Sequence, residues 1–204
     1  FLQQKFNDKI DFTADGEYLA GSDYRLQASF ISPFFQVKAS RTSVSPSIAQ
    51  NWTYNAAFRW NQSFDHVLFD ELTGTLDLHT KNIYFRPTAT IQRIANYAYF
   101  DTLSTAKQAA DAIGVFRTGF SAGGTFKCFE WSALVLANTK TGPDVIRMPS
   151  LVANANLELN VQYKKLLYMQ FGVDVQHQSA YFADAYMHTT QQFHLKNSYE
   201  IQAF

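Results

Sequence analysis

The groups in this chain that could do chemistry are five histidines, one cysteine and a few carboxylates. His66, His79, His177, His188 and His194 form no His-x-x-x-His or Glu-x-x-His pair, the spacings that set two metal ligands on one helical face. His177 and Asp174 are three apart. On a strand they point to opposite faces and cannot share a metal without a bulge. Interfacial or loop positions account for the histidines, and no metal is expected. Cys128 has no second cysteine to pair with, so no internal disulfide framework exists. Nothing near it builds a thiolate site. The glycines of Gly114–Gly124 match neither the Gly-x-x-x-x-Gly-Lys-Ser/Thr nor the Gly-x-Gly-x-x-Gly pattern. Glu158 and Asp174 are of the type that does paired acid–base work. The strand register that sets Tyr163 opposite Leu167 puts Glu158 near Gly172 and Asp174 a diagonal step away, so they read as solvated charges. No catalytic residue and no cofactor is expected, and the protein is not expected to be an enzyme.

The elements that position these groups are plainest in Leu151–Phe182. Leu157, Leu159, Val161, Met169, Phe171, Val173 and Val175 alternate with Glu158, Asn160, Gln170, Asp174 and Gln176. Side chains alternate faces along a strand, so this is a hairpin with one oily and one wet face. Parity is kept across the turn near Lys164-Lys165-Leu166. The loop therefore has an odd number of residues, and three sets Tyr163 opposite Leu167. Each strand is about ten residues long or slightly more, beyond the usual five or six. That length suits a tilted strand crossing a bilayer.

Composition is compatible with this. Seventeen basic and seventeen acidic residues cancel, which gives no basic excess for nucleic acid or an anionic surface. Nineteen Phe and eleven Tyr could supply girdles at two membrane interfaces. No apolar run approaches the length of a transmembrane helix.

Along the chain, Phe1–Ala20 reads as a weak opening strand with turns at Asp15-Gly16 and Gly21-Ser22. Tyr24, Leu26, Ala28 and Phe30 alternate with Arg25, Gln27 and Ser29. The apolar parity then flips to Phe35, Val37 and Ala39, against Gln36 and Lys38, which requires an even-numbered loop at Ser32-Pro33. Arg41–Gln50 reads as a loop. Trp52, Tyr54, Phe58 and Trp60 alternate with Thr53, Asn55 and Arg59, as a wall strand with aromatics at both ends would. Leu72, Gly74, Leu76 and Leu78 oppose Thr73, Thr75, Asp77 and His79. Ile83–Asp101 alternates poorly. Asp101–Asp111 has helical character, and Ala122-Gly123-Gly124 reads as a turn. Trp131, Ala133 and Val135 face away from Cys128, Glu130 and Ser132. Thr139–Pro149 and Ala180–Gln192 read as loops, and Phe193–Phe204 as a last strand beside Leu167–Ser179. The expectation is an all-β, antiparallel transmembrane β-barrel or a fragment of one, a single domain over 1–204 with roughly ten to twelve strands.

Arg147–Phe193 resembles the carboxy-proximal part of the putative porins of the Bacteroidota outer membrane. The likeness rests on Gly172–Val175, the spaced Tyr181 and Tyr186, and Phe193 after a short polar run. Asn96–Asp101 and Phe58–Phe64 resemble upstream family stretches. The family often has Pro after the second tyrosine, where this chain has Met187-His188. The resemblance implies a piece of a longer closed barrel in a bacterial outer membrane, allowing passive diffusion of small solutes.

On that reading the lumen is lined by Arg25, Gln27, Lys38, Asn55, Arg59, Asp77, Glu130, Glu158, Asn160, Gln170, Asp174 and Gln176. Lipid is faced by Tyr54, Phe58, Trp131, Val135, Leu157, Leu159, Val161, Met169, Phe171, Val173 and Val175. The charges named for the lumen are mixed, so no strong ion selectivity is expected. Outer-membrane lipid is the expected partner, with other outer-membrane proteins if the barrel is a structural subunit with a closed lumen. A soluble β-sheet binding protein is a third reading.

Overall fold

Ten long strands run in a simple meander, each hydrogen-bonded to the next in sequence. A computed structural model describes residues 2–7, 10–19, 23–55, 57–164, 166–198 and 200–203. The strands are β1 (Leu2–Asn7), β2 (Ile10–Leu19), β3 (Asp23–Ile31), β4 (Phe35–Val44) and β5 (Val67–Leu76). They continue with β6 (Ile83–Ala95), β7 (Ile113–Phe126), β8 (Phe129–Thr141), β9 (Leu151–Tyr163) and β10 (Leu167–Gln178). A stub at Leu78–His79 extends the β5 side against β6. Every pairing is antiparallel. The sheet is not closed: β1 and β10 stand at its two edges.

The hairpin register is the expected one. Tyr163 lies opposite Leu167 and Glu158 opposite Gly172. Lys164 takes a left-handed φ of 46°, and the Leu166 N–H donates to the Tyr163 carbonyl; Lys165 lies outside the described residues. Ile31 opposes Gln36 across four residues, the even-numbered loop that the parity flip requires.

Several expectations are corrected. Asp15-Gly16 is no turn but the interior of β2, where Gly16 lies opposite Leu26 and leaves room for it; Gly21-Ser22 lies outside the described residues. Arg41–Val44 continues β4, because it pairs with Val67–Asp70. Ala122-Gly123-Gly124 is strand as well. A Cβ on Gly123 would sit 2.7 Å from the Tyr84 hydroxyl and 2.8 Å from the Trp131 carbonyl, so close packing, not a turn, requires glycine. The turn comes at Lys127 and Cys128. The uneven Ile83–Asp101 contains one straight strand to Ala95. Its ladder to β5 lapses at Arg86 and Pro87 and resumes in the same register, an interruption where a missing N–H is tolerated.

Further segments leave the wall. Trp52–Tyr54 pairs with Arg59–Asn61 as a small hairpin outside the main sheet. The Asn55 side-chain oxygen accepts from the N–H groups of Ala57 and Phe58 and reverses the chain there. Asp101–Asp111 is not helical. The Asp101 carboxylate accepts from the N–H groups of Leu103 and Thr105, and Ala98–Phe100 pairs with Ala106–Gln108 around that turn. Among the described residues the one helical turn is Ile48–Asn51, capped by Ser47 and Gln50. Finally, Phe193–Phe204 does not pair with β10. Gln192–His194 pairs with Ala185–Met187, and Glu200–Ile201 with Tyr181–Phe182; Phe204 lies outside the described residues.

Candidate functional site

The register propagates two faces across the sheet, because directly opposed residues share a face. One apolar row reads Phe12, Phe30, Val37, Gly74, Ala89, Thr118, Ala137 and Leu151 from β2 to β9. Trp131, Val135, Leu157, Leu159, Val161, Met169, Phe171, Val173 and Val175 lie on this face. Arg25, Gln27, Lys38, Glu130, Glu158, Asn160, Gln170, Asp174 and Gln176 lie on the other. Asp77 joins them at the short-turn rim, 3.0 Å from Arg86.

Tyr54, Asn55, Phe58 and Arg59 do not belong to either face. They sit in the rim hairpin, where Arg59 covers the Tyr54 ring at 4.5 Å and Phe58 packs edge-on to Trp60. Alternation alone could not reveal this, since a free hairpin and a wall strand alternate alike.

The polar face is built by cross-strand hydrogen bonds. Thr73 and Thr90 meet at 3.0 Å, Thr75 and Thr88 at 3.1 Å, and Thr13 and Ser29 at 2.6 Å. The Asn156 amide donates to Asp174 at 2.8 Å, and the Gln170 amide to Glu158 at 2.5 Å. Glu130 lies directly opposite Glu158, an arrangement that repels unless neighbours relieve it. Among the described side chains, acidic residues outnumber basic ones on this face. Asp11, Asp15, Glu17, Asp23, Glu71, Asp77, Glu130, Glu158 and Asp174 stand against Arg25, Lys38, Arg86, Arg117 and Lys140. The even balance read from sequence missed the acidic side chains of β2 and β5.

At the rim opposite the tight turns, the polar parity becomes apolar. Val67, Ile94, Ala98, Ile113 and Val115 are buried there, with Phe64, Phe69, Tyr97, Val145, Ile146 and Met148 packed on them. A second cluster joins Trp60, Phe100 and Ala106. The segments 45–66, 96–112 and 142–150 thus form a cap over that end of the polar face. Gln50 donates to the Ala98 carbonyl at 3.0 Å, and Gln108 donates to the carbonyls of Asp65 and Asn96 at 2.7 and 2.8 Å. The Leu195 N–H donates to the Phe100 carbonyl at 3.0 Å, which brings the last segment onto the cap. Burial would raise the Asp101 carboxyl, but Lys107 at 2.8 Å and the two backbone N–H groups hold it below its ordinary value. Asp144 is held low by Lys140 and then Arg147. Burial pushes Asp184 up.

Among the described residues no three of His, Cys, Asp and Glu group as a metal site. His177 lies opposite Ala153 and Asp174 opposite Asn156, on opposite faces. His66 reaches Asp23 at 3.2 Å, and His79 reaches Asp77 at 3.4 Å. Cys128 is exposed at its turn.

The apolar face carries one charged group that sequence reading missed. Arg41, Asp70 and Arg93 lie side by side on β4, β5 and β6. Arg41 donates to both Asp70 oxygens at 2.6 and 3.1 Å, and Arg93 approaches at 3.8 Å. The signal was present: Arg41 shares parity with Val37 and Ala39, and Asp70 with Leu72.

A two-faced antiparallel sheet of long strands, with tight turns on one rim and a packed cap on the other, is the architecture of a porin-like, outer-membrane type β protein. The chain belongs to the putative porin family, whose model matches residues 1–204. No curated protein and no solved structure matches it. No described helix is long and apolar enough to cross a membrane.

Proposed function

We propose that the chain forms the wall of an outer-membrane β-barrel, its apolar face against lipid and its polar face lining an aqueous lumen for small solutes. The observation that carries this is the two-faced register kept from β2 to β10. The lumen-lining residues are then Arg25, Gln27, Lys38, Asp77, Glu130, Glu158, Asn160, Gln170, Asp174 and Gln176. The outer edges of β1 and β10 need partners, since each unpaired N–H or C=O in hydrocarbon costs several kcal/mol. Further strands or another copy would supply them. The acidic excess of the polar face gives the lumen a cation preference.

Planar-bilayer recording of the purified protein tests this. Discrete conductance steps with a cation-selective reversal potential are expected, and Glu158→Gln lowers that selectivity. Silence in bilayers where the protein has inserted counts against the pore.

The cap favours a second reading. The clusters around Ile113 and Trp60 cover one end of the polar face, as a barrel with a closed lumen would require. Such a protein would serve as a structural subunit beside other outer-membrane proteins. Conductance that appears only when the cap is loosened by Trp60→Ala would select this reading.

A further inference from the structure

Arg41, Asp70 and Arg93 are the Asp, Glu, Lys and Arg side chains on the apolar face of β2–β10 among the described residues, and they sit in one row. From Ile83 to Arg93 is ten residues of β6, about 33 Å at the strand rise. With a tilt near 40° this spans about 25 Å of membrane normal, the height of the apolar band in such barrels. Arg93 therefore lies at the boundary of that band on the capped rim, and Asp70 and Arg41 lie three residues from the capped ends of β5 and β4. Tyr18, Tyr24 and Ser43 occupy the next row toward the cap. Tyrosines mark interfaces.

One carboxylate between two guanidinium groups leaves a net positive charge. Asp70 holds Arg41 through two hydrogen bonds and meets Arg93 only at 3.8 Å. Both arginines remain more than half exposed, at 52 and 62 %. Shallow grooves lead from the pair into the apolar face. One of about 490 Å³ runs from Arg41 over Ala39, Ala28 and Ala14, and one of about 220 Å³ lies beside Arg93, Leu72 and Ile91. A cationic fork above apolar grooves complements a molecule with an anionic head and hydrocarbon tails.

We propose that Arg41 and Arg93 seat the phosphate of a phosphorylated membrane lipid, with its acyl chains in the two grooves. This rests on the reading of the apolar face as lipid-facing. Asp70 is a positioning residue: it fixes Arg41 and leaves Arg93 able to turn its donors to the phosphate.

The test uses vesicles of phosphatidylcholine containing a minority of phosphatidic acid, followed by native mass spectrometry of the extracted protein. Wild type should retain phosphatidic acid in preference to phosphatidylcholine, and added inorganic phosphate should not displace it. Arg93→Gln leaves the Arg41–Asp70 pair intact and should lower retention about five- to tenfold. Arg93→Lys should restore part of it. Equal retention by wild type and Arg93→Gln, or displacement by inorganic phosphate, would overturn the proposal. Flotation separates the two levels of inference. Wild type that floats without lipid preference overturns the lipid site alone, whereas wild type that fails to float overturns the membrane reading and the site with it.

Discussion

Leu157 and Asn156 are adjacent in β9 but lie on opposite faces, so arginine at each asks what surrounds those faces. Leu157 is the midpoint of Leu151–Tyr163, six residues from either end. That is about 20 Å along the strand and, at a 40° tilt, about 15 Å of membrane normal. Half of a 30 Å hydrocarbon core is the same distance, which puts Leu157 near the midplane. It is 51 % exposed on the sheet surface, between Trp131 and Val173. An arginine there should cost about 2–4 kcal/mol in a bilayer. Asn156→Arg loses one hydrogen bond to Asp174 but places a cation beside that carboxylate, so a change below about 1 kcal/mol is expected. The assay is reversible denaturant unfolding in lipid vesicles followed by tryptophan fluorescence, with both variants compared at constant slope. If Leu157→Arg costs no more than Asn156→Arg, the apolar face does not contact hydrocarbon and the membrane assignment fails. A soluble sheet would give that result, because a half-exposed leucine already meets water.

Three other outcomes follow from the geometry. Cys128, exposed at the β7–β8 turn, should resist a membrane-impermeant maleimide in intact cells and react after lysis, while Ile48→Cys in a Cys128→Ser background should react in intact cells; the opposite pattern would put the tight turns outside. Gly123→Ala should destabilise by about 1–3 kcal/mol through contact with Tyr84 and the Trp131 carbonyl, whereas Gly74→Ala, with nothing within 4 Å of its Cβ, should be neutral or slightly stabilising; equal unfolding midpoints would refute the close packing. Asp184 binds its proton more tightly in the folded state, so cap stability falls as pH rises from the ordinary carboxylate value of 3.8 through its raised folded value, and hydrogen exchange of residues 181–195 should show that pH dependence in wild type but not in Asp184→Asn.

What could be read from sequence was whatever period-two alternation encodes. The β9–β10 hairpin was legible down to its register, because both strands alternate strictly and the turn keeps parity. The same signal failed at Trp52–Trp60, where a hairpin closed by Asn55 and packed by Trp60 on Phe100 alternates just as a wall strand does. It failed differently at Gly123, since glycine in a strand and glycine in a turn are the same letter. Only the neighbouring Tyr84 side chain and Trp131 carbonyl separate the two cases. The cap was illegible because Ile94 and Ile113 belong by parity to the polar face. Their burial depends on segments far away in sequence. Arg41 and Asp70 are hidden because the polar, Pro-containing stretch Arg41–Gln50 has the composition of a loop, and only pairing with β5 extends β4 to Val44.

The meander also sets an order of assembly. On one rim the chain reverses at residues 32–34, 80–82, 127–128 and between Lys164 and Leu166, and on the other at 45–66, 96–112 and 142–150. Closing the 45–66 loop costs about 1.8 kcal/mol more chain entropy than closing 32–34. The pairs β3–β4, β5–β6, β7–β8 and β9–β10 can therefore zip as local hairpins within microseconds, well before any pair joined by a long loop. Each hairpin presents two unsatisfied edges until it meets the next. The slow events are the dockings between hairpins, and the cap can form only after them, because its clusters need β5, β6 and β7 already side by side. Cap closure then reports the completion of the wall, and variants that weaken the Ile113 cluster should slow the final phase of folding while leaving hairpin formation untouched.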